Sequence, residues 1–232
     1  MRSGEYVRER KKKGIFFFLA FLLVMGIVIG RYVFTTPYFK LKEVQVRGER
    51  RLSEATILRW ADISPRKCIF GISLREISRR IESNPRVKRA QVKRFLPSGI
   101  LIEVEEREPL AYLLYRDLLW EVDEEGIVLG KADSPQDLPV ITGVRSFSQK
   151  KRISSGIKII KAFKRAGLPL SEVNVEDEEK MIAYLRKIKV YLGKGEHLEY
   201  LSYLPFIIAD LKDKRISYID LRFNGQVAVG LK

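Results

Sequence analysis

The sequence predicts an α+β fold class carried on a single N-terminal transmembrane helix. A small unit with two helices on a three-stranded sheet comes first, and a mixed β domain with packing helices follows. Three observations predict this. Residues 14–34 form an apolar run in which Arg31 is the only charge. Residues 41–106 interleave strand patterns with two helical patterns, and from Pro109 onward strand patterns dominate.

The anchor follows from length and flanking charge. At about 1.5 Å per residue, the uncharged stretch 14–30 makes roughly 25 Å of helix, close to the ~30 Å hydrocarbon core of a bilayer. Extension to Phe34 closes the difference once Arg31 reaches the headgroups. Arg2, Arg8, Arg10, Lys11, Lys12 and Lys13 precede it against only Glu5 and Glu9, and basic flanks stay cytoplasmic. Residues 1–13 are therefore expected as a cytoplasmic basic tail, residues 14–34 as the span, and the rest as lying outside the cytoplasm. A cleaved secretory signal begins the same way, but its apolar core covers only ~7–15 residues and ends at small side chains. This run is longer, and its flank of Arg31, Tyr32 and Phe34 is bulky.

The formal net charge of +15 invites a nucleic-acid reading. Removing the first 31 residues, with seven basic and two acidic side chains, leaves 37 basic against 27 acidic, a net +10. That charge faces a compartment without DNA, where it suits anionic headgroups, wall polymers or plain solubility. Cys68 is the only cysteine, so no intrachain disulfide forms, and a small buried apolar role is expected of it.

After the anchor, residues 41–46 alternate with Val44 and Val46 on one face, and Gly48 ends the strand. Ser53 can cap a helix carrying Ile57, Trp60 and Ala61. Ser73 and Glu76 form a capping box before Leu74, Ile77 and Ile81, and Pro85 stops that helix. Strands follow at 87–95 and 100–106, the second with Ile100, Ile102 and Val104 facing one way and Leu101, Glu103 and Glu105 the other.

This order of elements resembles a POTRA domain, and its details resemble the bacterial FtsQ/DivIB cell division family. The matching pieces are residues 44–48, a strand ending in glycine; Leu52 with Ser53 at a helix start; and residues 84–87 after the second helix. The turn at 94–97 and the exit at 106–109 complete the set. The resemblance implies a POTRA domain at 38–107 and an FtsQ-type β domain at 108–232, covering nearly all of 38–231.

Within the second region, strands are expected at 110–115 and 118–123, with a turn at Glu125 and Gly126 leading into Ile127, Val128 and Leu129. Residues 120–126, with Leu138, Pro139 and Gly143, again resemble the family's β domain. Residues 150–166 read as a helix with Ile153, Ile157 and Ile160 inward, ended by Gly167 and Pro169. Residues 181–185 and 187–192 read as strands. Residues 196–211 place Leu201, Leu204, Ile208 and Leu211 at helical spacing, with a kink expected at Pro205.

Residues 216–223 and 226–231 flank Asn224 and Gly225, a strong hairpin signal. A two-residue turn would oppose Phe223 to Gln226, Leu221 to Ala228 and Ile219 to Gly230. Ile219, Leu221 and Phe223 then share a core-like face, while Val227, Val229 and Leu231 point the other way beside Tyr218, Asp220 and Arg222. As the last strand, without proline or charge before Lys232, it is suited to strand addition by a partner. The other reading is a helix covering that second face, and a longer turn with a bulge would shift the register and remove the face argument.

The run from Lys214 to Gly230 is similar to the end of FtsQ proteins, and the resemblance favours the first reading. It implies that the terminal strands dock FtsB, itself zipped to FtsL as a coiled coil. The contacts it implies are Arg222, Phe223, Gly225 and Leu231, to which the strand pattern adds Val227 and Val229. Lys180 lies where the family can present a basic residue to the partner helix. Other division proteins are expected to be recruited through the POTRA domain and the anchor.

No reaction centre is legible. His197 is the only histidine and is expected to be exposed or capping at a helix start. One histidine and one cysteine far apart make no metal-ligand cluster, and no cofactor is expected. The carboxylate runs Glu103, Glu105, Glu106 and Asp123, Glu124, Glu125 are expected as solvated surface. A Gly-x-Ser-x-Gly elbow and a phosphate-cradling glycine loop are both missing, and the serines are scattered. The expectation is a non-enzymatic divisome scaffold at the septum. The alternative is a membrane-tethered enzyme acting on wall polymer, and a transport role would need barrel strands that the sequence lacks.

Overall fold

The computed structural model describes residues 3–133, 136–211 and 216–231. They fall into two compact units, Met1–Glu106 and Arg107–Lys232. The apolar run lies in α1 (Ser3–Thr35). Its stretch Phe16–Thr35 has 20 residues, a mean hydropathy of 2.3 and no burial against the rest of the protein. That is about 30 Å of helix, one hydrocarbon thickness. The helix starts at Ser3, so the expected tail and span share one continuous backbone element.

The rest of the first unit comprises β1 (Glu43–Arg47), α2 (Glu54–Ala61), α3 (Leu74–Glu82), β2 (Val87–Phe95) and β3 (Gly99–Glu106). The sheet order is β1–β3–β2, with β1 parallel and β2 antiparallel to β3. Parallel pairing of β1 with β3 needs a crossover, and α2 and α3 lie within it. Their apolar residues Ile57, Ala61, Ile77 and Ile81 are buried with Ile100, Ile102 and Val104 from one sheet face, as the alternation predicted. Cys68 is buried and unpaired. Gly48 has φ +90°, and a Cβ there would lie 2.2 Å from the Val104 carbonyl oxygen, so only glycine allows the strand to end against β3.

The caps differ from expectation at one helix. Ser53 Oγ accepts the Thr56 N–H at 3.3 Å and caps α2. Ser73 occupies the N-cap position of α3 without a side-chain cap, so the expected box does not form. Glu76 lies instead 3.9 Å from the Arg80 guanidinium, one turn on, and is not free to reach back. Glu106 is also no solvated carboxylate: it accepts the backbone N–H groups of Arg50, Arg51 and Leu52 at 2.8–3.1 Å.

The second unit holds β4 (Pro109–Tyr115), β5 (Leu118–Asp123), β6 (Val128–Lys131), β7 (Val140–Thr142), α4 (Lys150–Arg165), β8 (Glu172–Asn174), β9 (Met181–Leu185) and β10 (Ile188–Gly193). A 3-10 helix (Leu198–Tyr203), α5 (Leu204–Asp210), β11 (Ile216–Asp220) and β12 (Ala228–Leu231) follow. All nine strands share one sheet in the order β12–β11–β10–β9–β8–β7–β4–β5–β6. The chain enters at β4, third from one edge, runs to that edge through β5 and β6, returns to the other side of β4, and builds outward to β12. Strands β7 and β8 have three residues each, too few for alternation to reveal them.

Helix α4 supplies Ile153, Ile157 and Ile160 to the core, as its spacing predicted, and Ile159 and Phe163 as well. The helix expected to kink at Pro205 is divided in two. Pro205 falls in the first turn of α5, where its missing N–H costs nothing, and the preceding turns are 3-10. Asp123, expected at the surface, is buried. It accepts the N–H groups of Glu125 and Ile127 and a 2.6 Å bond from Arg107, closing the β5–β6 turn.

Candidate functional site

Strand β12 lies at one edge of the nine-stranded sheet and pairs with β11 alone among the described residues. The expected register is corrected by one residue. Ile219 opposes Val229, Tyr218 opposes Gly230, and Asp220 opposes Ala228, with a bulge between Ile216 and Tyr218. The connection runs over residues 221–227 rather than through a two-residue turn. A one-residue slip exchanges the faces of a strand. Val229 therefore shares the core face with Ile219 while Ala228 and Gly230 occupy the other, the reverse of the expected arrangement.

The physical reason is where the backbone donors go. The Leu221 N–H leaves the hairpin and donates to the Tyr191 carbonyl of β10 at 2.9 Å. The Arg222 N–H donates to Asp220 Oδ1 at 3.0 Å. The Gly225 N–H donates to the Tyr200 hydroxyl at 2.7 Å, and that hydroxyl donates to Asn224 Oδ1 at 3.3 Å. Three donors are thus held by groups outside a tight turn, and the loop widens around them. Gly225 adopts φ +73°, a conformation that favours glycine.

The expected contact residues separate into two groups. Arg222 is held within the chain: its guanidinium forks onto Asp220, with Nε–Oδ1 at 2.9 Å and Nη2–Oδ2 at 2.6 Å, and lies over the Tyr191 ring. Phe223 is 51% exposed and Leu231 47% exposed, whereas Val227 and Val229 are half-buried. Lys180 is exposed just before β9, three strands inward from the edge. Because β9 starts beside the end of β10, and β10 and β11 are parallel, Lys180 shares its end of the sheet with the 221–227 loop.

Asp220 and Tyr200 shape this loop and were not singled out from sequence. The aspartate looked like one polar residue in an alternating strand, and the tyrosine is 25 positions from the glycine it holds. Beside the loop, Tyr200, Tyr203, Phe206 and Ile207 form a groove with residues 225–227 of about 540 Å³. Phe206 is 75% exposed, and the signal for it was its position off the Leu201, Leu204, Ile208 stripe. His197 precedes the 3-10 helix without capping it and stacks on Tyr200.

The Arg222 guanidinium, by hydrogen bonding, holds the buried Asp220 carboxyl below the usual range. Burial opposes this, and the Arg222 backbone N–H adds to it. A depressed carboxylate contributes stability that is complete above its unfolded pKa and lost as pH falls through the folded one. Asp220→Asn is therefore expected to cost about 1 kcal/mol at neutral pH, a modest figure because Arg222 is half exposed. The difference from the unsubstituted chain should hold down to pH ~5 and shrink below pH ~4. Urea midpoints measured across that range check it, and a difference that grows on acidification would contradict the pairing.

Comparison with known proteins gives the arrangement its context. One family model, the FtsQ-type POTRA domain, matches residues 39–107, and a second, the C-terminal domain of cell division protein FtsQ/DivIB, matches residues 111–222. Cell division protein FtsQ of Syntrophotalea carbinolica is 27% identical over 230 residues, covering 92% of this chain and 81% of that one. Cell division protein DivIB of Clostridium tetani is 25% identical over 250 residues, covering 100% and 94%. The solved major extracytoplasmic domain of DivIB from Geobacillus stearothermophilus covers 47% of this chain and 97% of its own at 24% identity and a TM-score of 0.35. A POTRA-type module and a mixed sheet domain define a protein of the bacterial division machinery, and among the described residues one apolar helix fits a single membrane span. The chain belongs to the FtsQ/DivIB family of cell division proteins.

Proposed function

We propose that this protein is a non-enzymatic divisome scaffold that links early and late division proteins at the septum and binds the FtsB/FtsL pair through its C-terminal strands. The observation that carries the proposal is the place of β12 at the sheet edge. An edge strand has backbone donors and acceptors on one side available to a further strand, and hydrogen bonds made there supply affinity while neighbouring side chains supply selectivity. The adjacent exposed side chains Phe223 and Leu231 and the half-buried Val227 and Val229 offer apolar contact. Gly225 shapes the loop, Arg222 fixes it, and Lys180 places a positive charge at the same end of the sheet. In this reading the basic flank of α1 lies in the cytoplasm and both folded units lie outside it. The POTRA unit, spanning 38–107, takes the upstream partners, and the β domain, spanning 108–232, takes FtsB and FtsL.

Co-purification tests the proposal. The full chain, extracted in mild detergent, should retain co-expressed FtsB and FtsL, and a chain ending at Asn224 should lose both while its POTRA unit stays folded. Equal retention by the two forms would remove the C-terminal strands from the interaction.

A further inference from the structure

The end of the POTRA-unit sheet nearest α1 carries apolar and basic side chains that the division role leaves unused. Three segments meet there. Residues 37–41 follow α1, and the Leu41 N–H donates to the Lys67 carbonyl at 2.9 Å while Lys40 bridges Cys68. Strand β1 begins beside the β2–β3 turn, because Glu43 and Phe95 both pair with Gly99, and the Lys42 N–H donates to the Ser98 carbonyl at 2.9 Å. The short 3-10 turn Ile69–Gly71 closes the set. The Arg94 guanidinium bonds the carbonyls on either side of it, Ile69 at 2.7 Å and Ile72 at 2.8 Å, and both those isoleucines are buried.

Phe70 lies between them and is 41% exposed; Tyr38 and Leu96, on the other two segments, are 59% and 65% exposed. Phe39 joins the aromatics, with ring centroids 5.1 Å from Tyr38 and 5.4 Å from Phe70. The position relative to the anchor is set directly: a Cβ on Gly71 would sit 3.7 Å from the Phe34 ring, and Phe34 is in the last turn of α1. Residues Lys40, Lys42, Arg66 and Lys67 are exposed around these side chains, with no carboxylate partner among the described residues.

We infer that this end of the POTRA unit is an interfacial foot that rests on the bilayer, with Tyr38, Phe70 and Leu96 at headgroup depth and Lys40, Lys42, Arg66 and Lys67 on anionic phospholipid headgroups. The inference rests on α1 spanning the membrane, and it extends that anchored surface. Aromatic rings settle at the membrane–water interface, and basic groups near an anionic surface add attraction that falls off within a Debye length. The foot is already ordered by Arg94 and by the buried isoleucines, so contact orders little that was free. Such a foot would limit tilting of the unit about the end of α1, and the neutralised headgroups account for a cluster of cations without acidic partners.

The test uses the full chain in nanodiscs of brominated-acyl phosphatidylcholine, with or without phosphatidylglycerol. A Phe70→Trp variant reports contact as quenching beyond that of the parent chain, whose own tryptophans are Trp60 and Trp120. Quenching is expected to be roughly threefold greater with phosphatidylglycerol. The further substitutions Lys40→Glu and Lys67→Glu should return it to the level without that lipid. A chain that floats with the discs but shows no added quenching, or quenching indifferent to headgroup charge and to the charge reversals, overturns the foot alone. Quenching gained only when FtsB and FtsL are added would mean that the unit does not rest on the bilayer by itself, and would also overturn the foot. A chain that fails to float with the discs overturns the membrane span and the foot with it.

Discussion

Of two single variants, Ala228→Pro and Val229→Pro, one should abolish capture of FtsB and FtsL while leaving the fold as stable as before, and the other should weaken the fold. Backbone N–H groups along a strand point alternately to its two sides. On β12 one side meets β11 and the other meets no strand of the described chain. Proline removes the donor and adds a ring where a neighbouring backbone would approach. On the β11 side the loss falls on the hairpin ladder and lowers the denaturation midpoint. On the vacant side it costs the isolated protein almost nothing, since edge strands accept proline. In the complex it strands a partner carbonyl, a loss of ~1–3 kcal/mol before any clash, or roughly tenfold to a hundredfold in affinity. Paired measurements of midpoint and of capture by immobilised FtsB/FtsL decide the matter. Capture by both variants at the level of the unsubstituted chain would refute strand addition, whatever else binds at this end of the sheet.

Phe163→Ala should produce the largest loss of stability. Phe163 is fully buried in the last turns of α4, in the cluster that also holds Ile153, Ile157, Ile160 and the sheet residues Leu113, Ile141 and Val173. Truncating such a ring removes its transfer free energy and leaves a cavity that a close-packed sheet and helix refill only in part, a cost of about 3–5 kcal/mol. Against a typical domain stability of ~5–15 kcal/mol this is a large fraction. Trp120 sits in the same unit, 4.9 Å from Phe147, and reports its unfolding once Trp60 is replaced by phenylalanine. The urea midpoint should fall with the slope unchanged. Lys158→Ala, on the exposed face of α4, should stay within ~0.5 kcal/mol. Similar shifts for the two would mean that α4 does not hold the sheet.

Much of this architecture was legible because its signals are local. The expected run at 14–34 falls in one continuous helix, whose stretch Phe16–Thr35 is long and apolar enough to cross a membrane. The faces of α4 and β3 follow from spacing, and the cap on α2 from one serine. The errors share a cause. Ser73 had the right neighbours for a capping box, yet Glu76 lies beside Arg80. Asp123 and Glu106 read as surface carboxylates, yet both accept backbone N–H groups from loops, and Glu106 does so across more than fifty positions. Strands β7 and β8 gain their identity from parallel neighbours rather than from three-residue patterns.

The same division runs through the candidate site. Periodicity and the position of the last apolar run were enough to place a strand at 226–231, behind an apolar helix and a unit of two helices on a three-stranded sheet. Its register was not contained in that pattern, because Asn224 and Gly225 are compatible with a tight turn as well as with a wider loop. Tyr200 and the carbonyl of Tyr191, both distant along the chain, take the N–H groups of Gly225 and Leu221. A backbone donor that leaves a ladder bonds whichever acceptor is at hand, and which acceptors are within reach is known only once the sheet and its helices are assembled.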